Sequence, residues 1–446
     1  MMILALTGGS SRSDVQSLAF LLPCSIVVCA IGLSTLEFSH LKNHRYALVG
    51  YAAVFLLAFM HLIPLPPEIW GAQPGRALIL EITDSSGLQD QWRPLSVSPM
   101  ESWVSISFIV PALAVFILGV QLKTPDLDRL IPLIIGLGAL SGLLGLMQIV
   151  GGGGSAYHLY NITNNNNAVG LFANRNHAAL FLACLLPLLA VFSIQSASKG
   201  RGAKSSAVIP VCIAIVIVPL VLVTGSRSGV ITTVMGFIGA AAIYLSHTNS
   251  MPNRSKKAAK SAFPLTMVFL IISLTFITLV FSRAEAIERL MFQDAADDQR
   301  SLFWVATIRY LFDYWPWGSG ASSFATVYEQ HEPRSLLDST YLNNAHNDYL
   351  EIPLSFGIGG TILLATGVVG LAWRSFDIWF RYDGQSISVS MARMGGCLIF
   401  MIAAASVVDY PMRTPFLLSV FALILLWFSR TSSQPSRAKP VSDLES

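Results

Sequence analysis

Four short segments carry side chains able to do chemistry. LFANRNHAA, from Leu171 to Ala179, sets Arg175 between Asn174 and Asn176, and TGSRSG, from Thr224 to Gly229, carries Arg227. YLNNAHNDYLE, from Tyr341 to Glu351, holds His346, Asp348 and Glu351, and DYPMRT, from Asp409 to Thr414, holds Asp409 and Arg413. A guanidinium grips phosphate or carboxylate through paired planar hydrogen bonds and stays charged when partly buried. An imidazole changes charge near neutral pH and can accept a proton. Singly, each segment has a plainer explanation: an arginine near a helix end extends to the polar interface, and a lone loop histidine is more often structural than catalytic. Together they outweigh it, because ionisable groups at membrane depth are costly and mark function.

The elements that must position these residues are membrane helices. Apolar residues make up 53% of the 446 positions and charged residues only 12%, against roughly 25% charged in a soluble domain. Apolar runs near the roughly 20 residues that a bilayer core demands number about eleven. They lie at Ser17 to Leu36, Tyr46 to Leu65, Trp103 to Leu122, Leu130 to Val150, His177 to Ile194, Ala207 to Val223, Gly229 to Ser246, Pro264 to Phe281, Phe356 to Trp373, Met394 to Val408 and Pro415 to Phe428. The expected fold is an all-α polytopic bundle of about 11–12 membrane helices. Its expected divisions are residues 1–281 with about eight spans, a large loop over 282–355, three spans in 356–429 and a polar tail over 430–446.

Lys and Arg in short loops are retained on the cytoplasmic side. The links with Lys42 and Arg45, Lys123 and Arg129, Lys199, Arg201 and Lys204, Arg254 to Lys260, and Arg374, Arg381 and Arg393 alternate with the spans, as does the tail with Arg430, Arg437 and Lys439. These are expected to be cytoplasmic. The outer face then holds Arg12, Arg76, Arg93, Arg175, Arg227, Arg283, Arg289, Arg300, Arg309, Arg334 and Arg413, and no lysine. That bias fits an anionic ligand and equally fits the better tolerance of arginine for the interface.

An odd number of spans leaves the N-terminus outside. Met1 to Leu6 is apolar but too short to cross, and a missing first helix is one reading of this; the segment has no basic leader with a small-residue cleavage site. Cys24, Cys29, Cys184, Cys212 and Cys397 all fall within spans and read as small core residues, not as a disulfide or metal framework. The net charge of +3 says little about partners, and nothing points to nucleic acid. Three segments on the outer side are long: Pro66 to Ser102, Gly151 to Asn176, and above all Ser282 to Ser355, too long for an idle connection.

At these residues the chain resembles the O-antigen ligase and O-antigen polymerase superfamily. The likeness rests on FANRNH, TGSRSG, the Arg300 to Gly320 stretch RSLFWVATIRYLFDYWPWGSG, AHNDYLE running into FGIGG, and DYPMRTP, in that order, over roughly Gly151 to Pro415. The resemblance implies a C-type glycosyltransferase architecture with a large periplasmic loop in the C-terminal third. It further implies a multi-pass protein of the bacterial inner membrane, acting on its periplasmic face on an undecaprenyl-pyrophosphate-linked glycan without a metal ion or other cofactor. Implied partners are that donor, a glycan or lipid A core acceptor, a chain-length regulator and a flippase.

The chemistry of the residues agrees with this. Moving a glycan from a lipid pyrophosphate requires stabilising a leaving group that gains negative charge, which guanidinium groups supply in a water-poor site. Arg175 and Arg227 are the candidates, with Arg300 a third, and Asn174, Asn176, Asp409 and Arg413 complete the expected binding surface. His346 is the expected base for the acceptor hydroxyl, with Asp348 or Glu351 to orient it. The outer face carries no Asp-x-Asp pair with acidic neighbours; Asp297 and Asp298 are the residues a metal would need, and they read as a solvated turn. Polymerase and ligase share the donor site, and the expectation leans to a polymerase making O-antigen or exopolysaccharide. A transporter of the lipid-linked oligosaccharide is the alternative of another class. It would place ionisable groups near the bilayer midplane, often within internal repeats, and no convincing repeat is present.

Overall fold

The computed structural model describes residues 1–152, 156–199, 210–250, 303–332, 342–382, 384 and 386–430, together with the backbone of 203–209 and 294–302. The main helices are α1 (Leu18–Ser34), α2 (Arg45–Met60), α3 (Pro99–Gln121), α4 (Leu130–Gly151), α5 (Arg175–Ser198), α6 (Ala203–Val223), α7 (Arg227–Asn249), α8 (Asp294–Asp313), α9 (Phe324–His331), α10 (Asp348–Arg381), α11 (Ile387–Ala405) and α12 (Pro415–Phe428). Among the described residues the only sheet is an antiparallel pair of two-residue strands, β1 (Pro64–Leu65) and β2 (Arg93–Pro94). Among the described residues six helices are long and apolar enough to cross a bilayer, and α1 joins the helical stretch through Met60 at a 108° bend. The protein is an all-α polytopic membrane protein. Ten of the eleven apolar runs are helical, and Pro264 to Phe281 lies outside the described residues. At about 1.5 Å per residue, the 14 residues of α12 reach about 21 Å, short of a hydrocarbon core of about 30 Å.

Helix α5 is the axis of the bundle, buried along nearly its whole length and packed against α4, α6, α7 and α11. Glycines on α7 make the closest of these approaches possible. A Cβ at Gly229 would stand 2.3 Å from the Cβ of Ala179, and one at Gly236 would stand 2.9 Å from the carbonyl oxygen of Ala183. In an apolar solvent, where burial of hydrocarbon offers little drive for association, such backbone proximity is what holds helices together. Helix α3 forms a second line of packing with α1 and α12, with Gly119 against Leu426.

The loops gather into two groups at opposite ends. At one end, Phe416 donates to the Gly8 carbonyl at 2.9 Å, Ala173 donates to Gly9 at 3.2 Å, and Val97 donates to Ser319 at 2.9 Å. At the other end, Arg430 pairs with Asp128 and donates to the Thr124 carbonyl at 3.2 Å, while Ser429 and His44 share a 2.7 Å hydrogen bond. Of the described residues, those of the first group lie in lysine-free loops and those of the second beside Lys42 and Lys123.

Helix α10 departs from expectation. It starts at Asp348, eight residues before the anticipated Phe356, and it is broken at Gly357, where φ is 54° and ψ is −140°. The loop ahead of α9 plugs the break: Ile358 donates to the Pro316 carbonyl at 2.8 Å, Ser319 donates to Leu354 at 2.9 Å, and Gly320 donates to Ser355 at 2.8 Å. A Cβ at Gly357 would lie 1.9 Å from the Pro316 oxygen, so only glycine fits. Above this plug, Tyr310, Tyr314, Phe324, Val327, Tyr328, Ala345 and Leu354 form a small core of their own.

Candidate active site

Two helix starts lie side by side at the lysine-free end. Asn174 caps α5 by accepting a hydrogen bond from the backbone of Asn176 at 2.8 Å, and Ser226 caps α7 by accepting from Gly229 at 2.9 Å. Ser226 donates its hydroxyl proton to the side-chain oxygen of Asn176 at 2.8 Å, tying the two starts together. Each helix begins with its arginine, Arg175 and Arg227, both partly exposed. The Arg175 guanidinium reaches Asn167 at 3.4 Å and lies against the turn at Gly225, where a Cβ would be 3.6 Å from its Nη1. A helix N-terminus carries a partial positive charge and unsatisfied N–H groups, so two adjacent starts and two guanidinium groups make a strongly anion-attracting surface.

Asp409 is the hub. It is 1% exposed, and its Oδ1 lies 3.7 Å from Nε2 of His177 and 3.6 Å from Nδ1 of His346. Oδ1 also accepts from the backbone of Tyr410 at 3.0 Å, and Oδ2 accepts from Asn174 at 3.4 Å. Burial alone would push the Asp409 carboxyl up, but the His177 and His346 imidazoles beside it more than reverse this and hold it well below the usual carboxylate range. The Tyr410 ring stands edge-on to both imidazoles, with centroids 5.4 Å from His177 and 4.8 Å from His346. Burial and the neighbouring Asp409 charge push the Tyr410 phenol up, so it remains a neutral hydrogen-bonding group. His346 itself has a positive φ of 51°. Non-glycine residues held there cost of order 1 kcal/mol or more and cluster at functional sites.

Arg413 forms a separate cluster beneath the hub. Its guanidinium meets Asp348 at 3.3 Å and Glu351 at 2.9 Å; Glu351, fully buried, also accepts from the backbone of Ala345 at 2.7 Å. Burial works against the Arg413 charge, yet the Glu351 and Asp348 carboxylates raise it above its ordinary value. The cluster staples the start of α10 to the 3-10 turn at Pro411–Arg413.

The structure therefore brings Asn174, Arg175, Asn176, Arg227, His346, Asp348, Glu351, Asp409 and Arg413 to one end of the bundle. Arg300 belongs to α8, and its side chain lies outside the described residues, as do those of Asp297 and Asp298. One expected pairing is corrected. The carboxylate facing His346 is Asp409, whereas Asp348 and Glu351 point into Arg413 from the first turn of α10. His177, Tyr410 and Ser226 were not among the expected site residues. His177 is an ionisable group in the first turn of an apolar helix, and that was the available signal; Tyr410 and Ser226 had none beyond their neighbours in sequence. Among the described residues no group of three His, Cys, Asp or Glu is arranged to hold a metal ion.

The arrangement can hold an anion against paired arginines and take a proton beside it. No curated protein matches this chain. Residues 212–365, which run from within α6 through α7, α8 and α9 into the second half of α10, match a family model described as O-Antigen ligase, and this match supports the resemblance to the O-antigen ligase and polymerase superfamily.

Proposed function

We propose that this protein is a glycan polymerase of the bacterial inner membrane. It joins undecaprenyl-pyrophosphate-linked repeat units at the periplasmic face, without a metal ion. The observation that carries the reading is the hub: Asp409 contacts the first turn of α5 through Asn174 and His177, and it contacts His346 in the loop before α10. It thus joins the segment bearing Arg175 to the imidazole proposed as base. The arginine bias of the lysine-free end supports a periplasmic orientation.

Arg175 and Arg227 hold the donor pyrophosphate, with the two helix starts adding to the positive potential. The acceptor hydroxyl attacks the anomeric carbon, and the new C–O bond forms as the bond from that carbon to the phosphate oxygen breaks. The bonding pair leaves on the pyrophosphate. The hydroxyl proton passes to His346, whose Nδ1 is turned toward Asp409, leaving Nε2 for the acceptor. The imidazolium so formed faces a buried carboxylate, which stabilises it. A transporter would need no such base.

Deletion of the gene separates the readings by what accumulates. Loss of a polymerase leaves single repeat units on the final acceptor. Loss of a ligase leaves long glycan on the carrier lipid, and loss of a transporter leaves unpolymerised lipid-linked units with no acceptor modified. The expected outcome is the first, and either of the others overturns the proposal.

A further inference from the structure

His177 has no task in the reaction just described, yet it occupies a position a packing residue does not need. It is 1% exposed, in the first turn of the central helix, and its Nε2 faces the same Asp409 oxygen that His346 Nδ1 faces, at 3.7 Å against 3.6 Å. Neither of its ring nitrogens has a hydrogen-bond partner within ordinary reach among the described residues. A buried imidazole with both nitrogens unsatisfied costs free energy unless a partner closes on it. Among the described residues the ionised group in contact with it is Asp409, whose position is fixed from one side by the Tyr410 backbone and from the other by Asn174.

We infer that His177 is a positioning residue for the proposed base: it competes with His346 for one oxygen of Asp409 and thereby sets how firmly His346 holds a proton. The inference rests on the transferase reading. Apo contacts between catalytic partners are commonly long and tighten when substrate is bound, and two imidazoles sharing one oxygen cannot both tighten fully. His177 closing on the carboxylate leaves His346 a free base, ready to receive the acceptor proton. When His346 has taken that proton, its charge draws the carboxylate toward it, and His177 gives way. Protons taken up by such coupled groups belong to the set, not to one residue.

The other charged or titratable groups around the hub are Arg175 on α5, Arg227 on α7, Asp348 and Glu351 on α10, and Tyr410 and Arg413 on the turn before α12. Of these, Arg413 is matched by Asp348 and Glu351, and Tyr410 stays neutral. They form a fixed background to the His177, Asp409 and His346 set.

The test reads His346 without any substrate. Diethyl pyrocarbonate acylates the neutral imidazole, and His346, with a side chain 25% exposed, is open to it. Labelling of the peptide containing His346 would be followed by mass spectrometry in purified full-length protein at about pH 6, where imidazoles are largely protonated. In Asp409→Asn, labelling should speed up about twofold, because His346 loses its counter-charge; for an imidazole at this pH that corresponds to about half a pH unit. In His177→Phe, labelling should slow by about the same factor, since Asp409 is released to His346 alone. His177→Gln, which keeps a side-chain N–H, should stay near wild type. Unchanged or faster labelling in His177→Phe, at normal membrane abundance, overturns the inference, as does slowing of equal size in His177→Gln. Glycan transfer by wild-type protein is scored separately, so absence of transfer counts against the transferase reading alone.

Discussion

Both ends of the bundle use arginine, and they use it in opposite ways. At the lysine-bearing end, Arg393 is 3% exposed and its guanidinium is absorbed by the protein: it donates to Ser246, to the Trp379 carbonyl at 3.2 Å and to the Tyr382 carbonyl at 2.9 Å, and it lies 4.9 Å from the Trp379 ring centroid. Arg430 is likewise matched to Asp128. At the lysine-free end, Arg175 and Arg227 stand partly exposed as the first residues of helices whose own N-termini are positive. Arg413 there is matched by two carboxylates, and Arg76, 1% exposed, donates to the Leu95 carbonyl and lies over the Trp70 and Tyr314 rings, so these two resemble Arg393. An arginine surrounded by carbonyls or carboxylates closes a fold; an arginine stacked on further positive charge prepares a surface for an anion.

The largest effect should come from the proposed base, His346. His346→Ala is expected to lower transfer by about 10²–10⁴-fold while donor binding, followed with a fluorescent lipid pyrophosphate, stays near normal. Retention of near-normal transfer would remove His346 from the mechanism. Next, Arg227→Lys or Arg175→Lys should lower transfer roughly 100-fold and weaken donor binding, because lysine keeps the charge but loses the paired planar hydrogen bonds. Wild-type behaviour in both would mean that neither arginine grips the pyrophosphate.

The third prediction sets the structural arginines against these. Arg413→Met leaves Glu351 and Asp348 buried without a counter-charge and should cost about 3–5 kcal/mol, seen as a sharp fall in membrane abundance. Arg393→Met, which takes the donor from neutral acceptors including the Trp379 and Tyr382 carbonyls and the Ser246 hydroxyl, should cost about 1–3 kcal/mol and leave turnover per molecule intact. Equal loss of turnover in Arg393→Met and Arg227→Lys would erase the difference between the two ends.

A smaller effect concerns acid. Because the Asp409 carboxyl is held below its ordinary value, its contribution to stability is fully present above the unfolded value of about 4 and is lost as pH falls through the depressed one. Thermal unfolding in detergent should therefore show the loss that comes from protonating the carboxylate itself only below about pH 4. There, Asp409→Asn should lose less stability than wild type. Finally, chelation by EDTA should leave turnover unchanged; loss restored by magnesium would shift attention to Asp297 and Asp298.

Hydropathy located the long helices well. Trp103 to Leu122 was expected where α3 spans Pro99–Gln121, and Leu130 to Val150 where α4 spans Leu130–Gly151. It failed at α10 because Asp348 and Glu351 look like loop residues until Arg413, more than sixty positions on, neutralises them. The break at Gly357 was invisible for a related reason: what makes it is the loop at Pro316, not the apolar run around it. The arginines and His346 could be read from residue type and clustering. The carboxylate serving His346 could not, since local spacing favoured Asp348 and Glu351, and a helix start aims its side chains by the cap at Asn347, not by closeness in sequence. His177 looked like the first residue of an apolar span, and its partner lies 232 positions away.

The left-handed backbone at position 346 also limits how this protein can be improved. Selection for heat tolerance alone would favour glycine or asparagine there, since either adopts a φ of 51° more easily and would recover about 1 kcal/mol. The same change would delete the imidazole. On the proposed reaction, directed evolution toward a hardier scaffold would thus drift into inactive protein through this stabilising step, and a thermostabilisation campaign should hold His346 fixed from the first round.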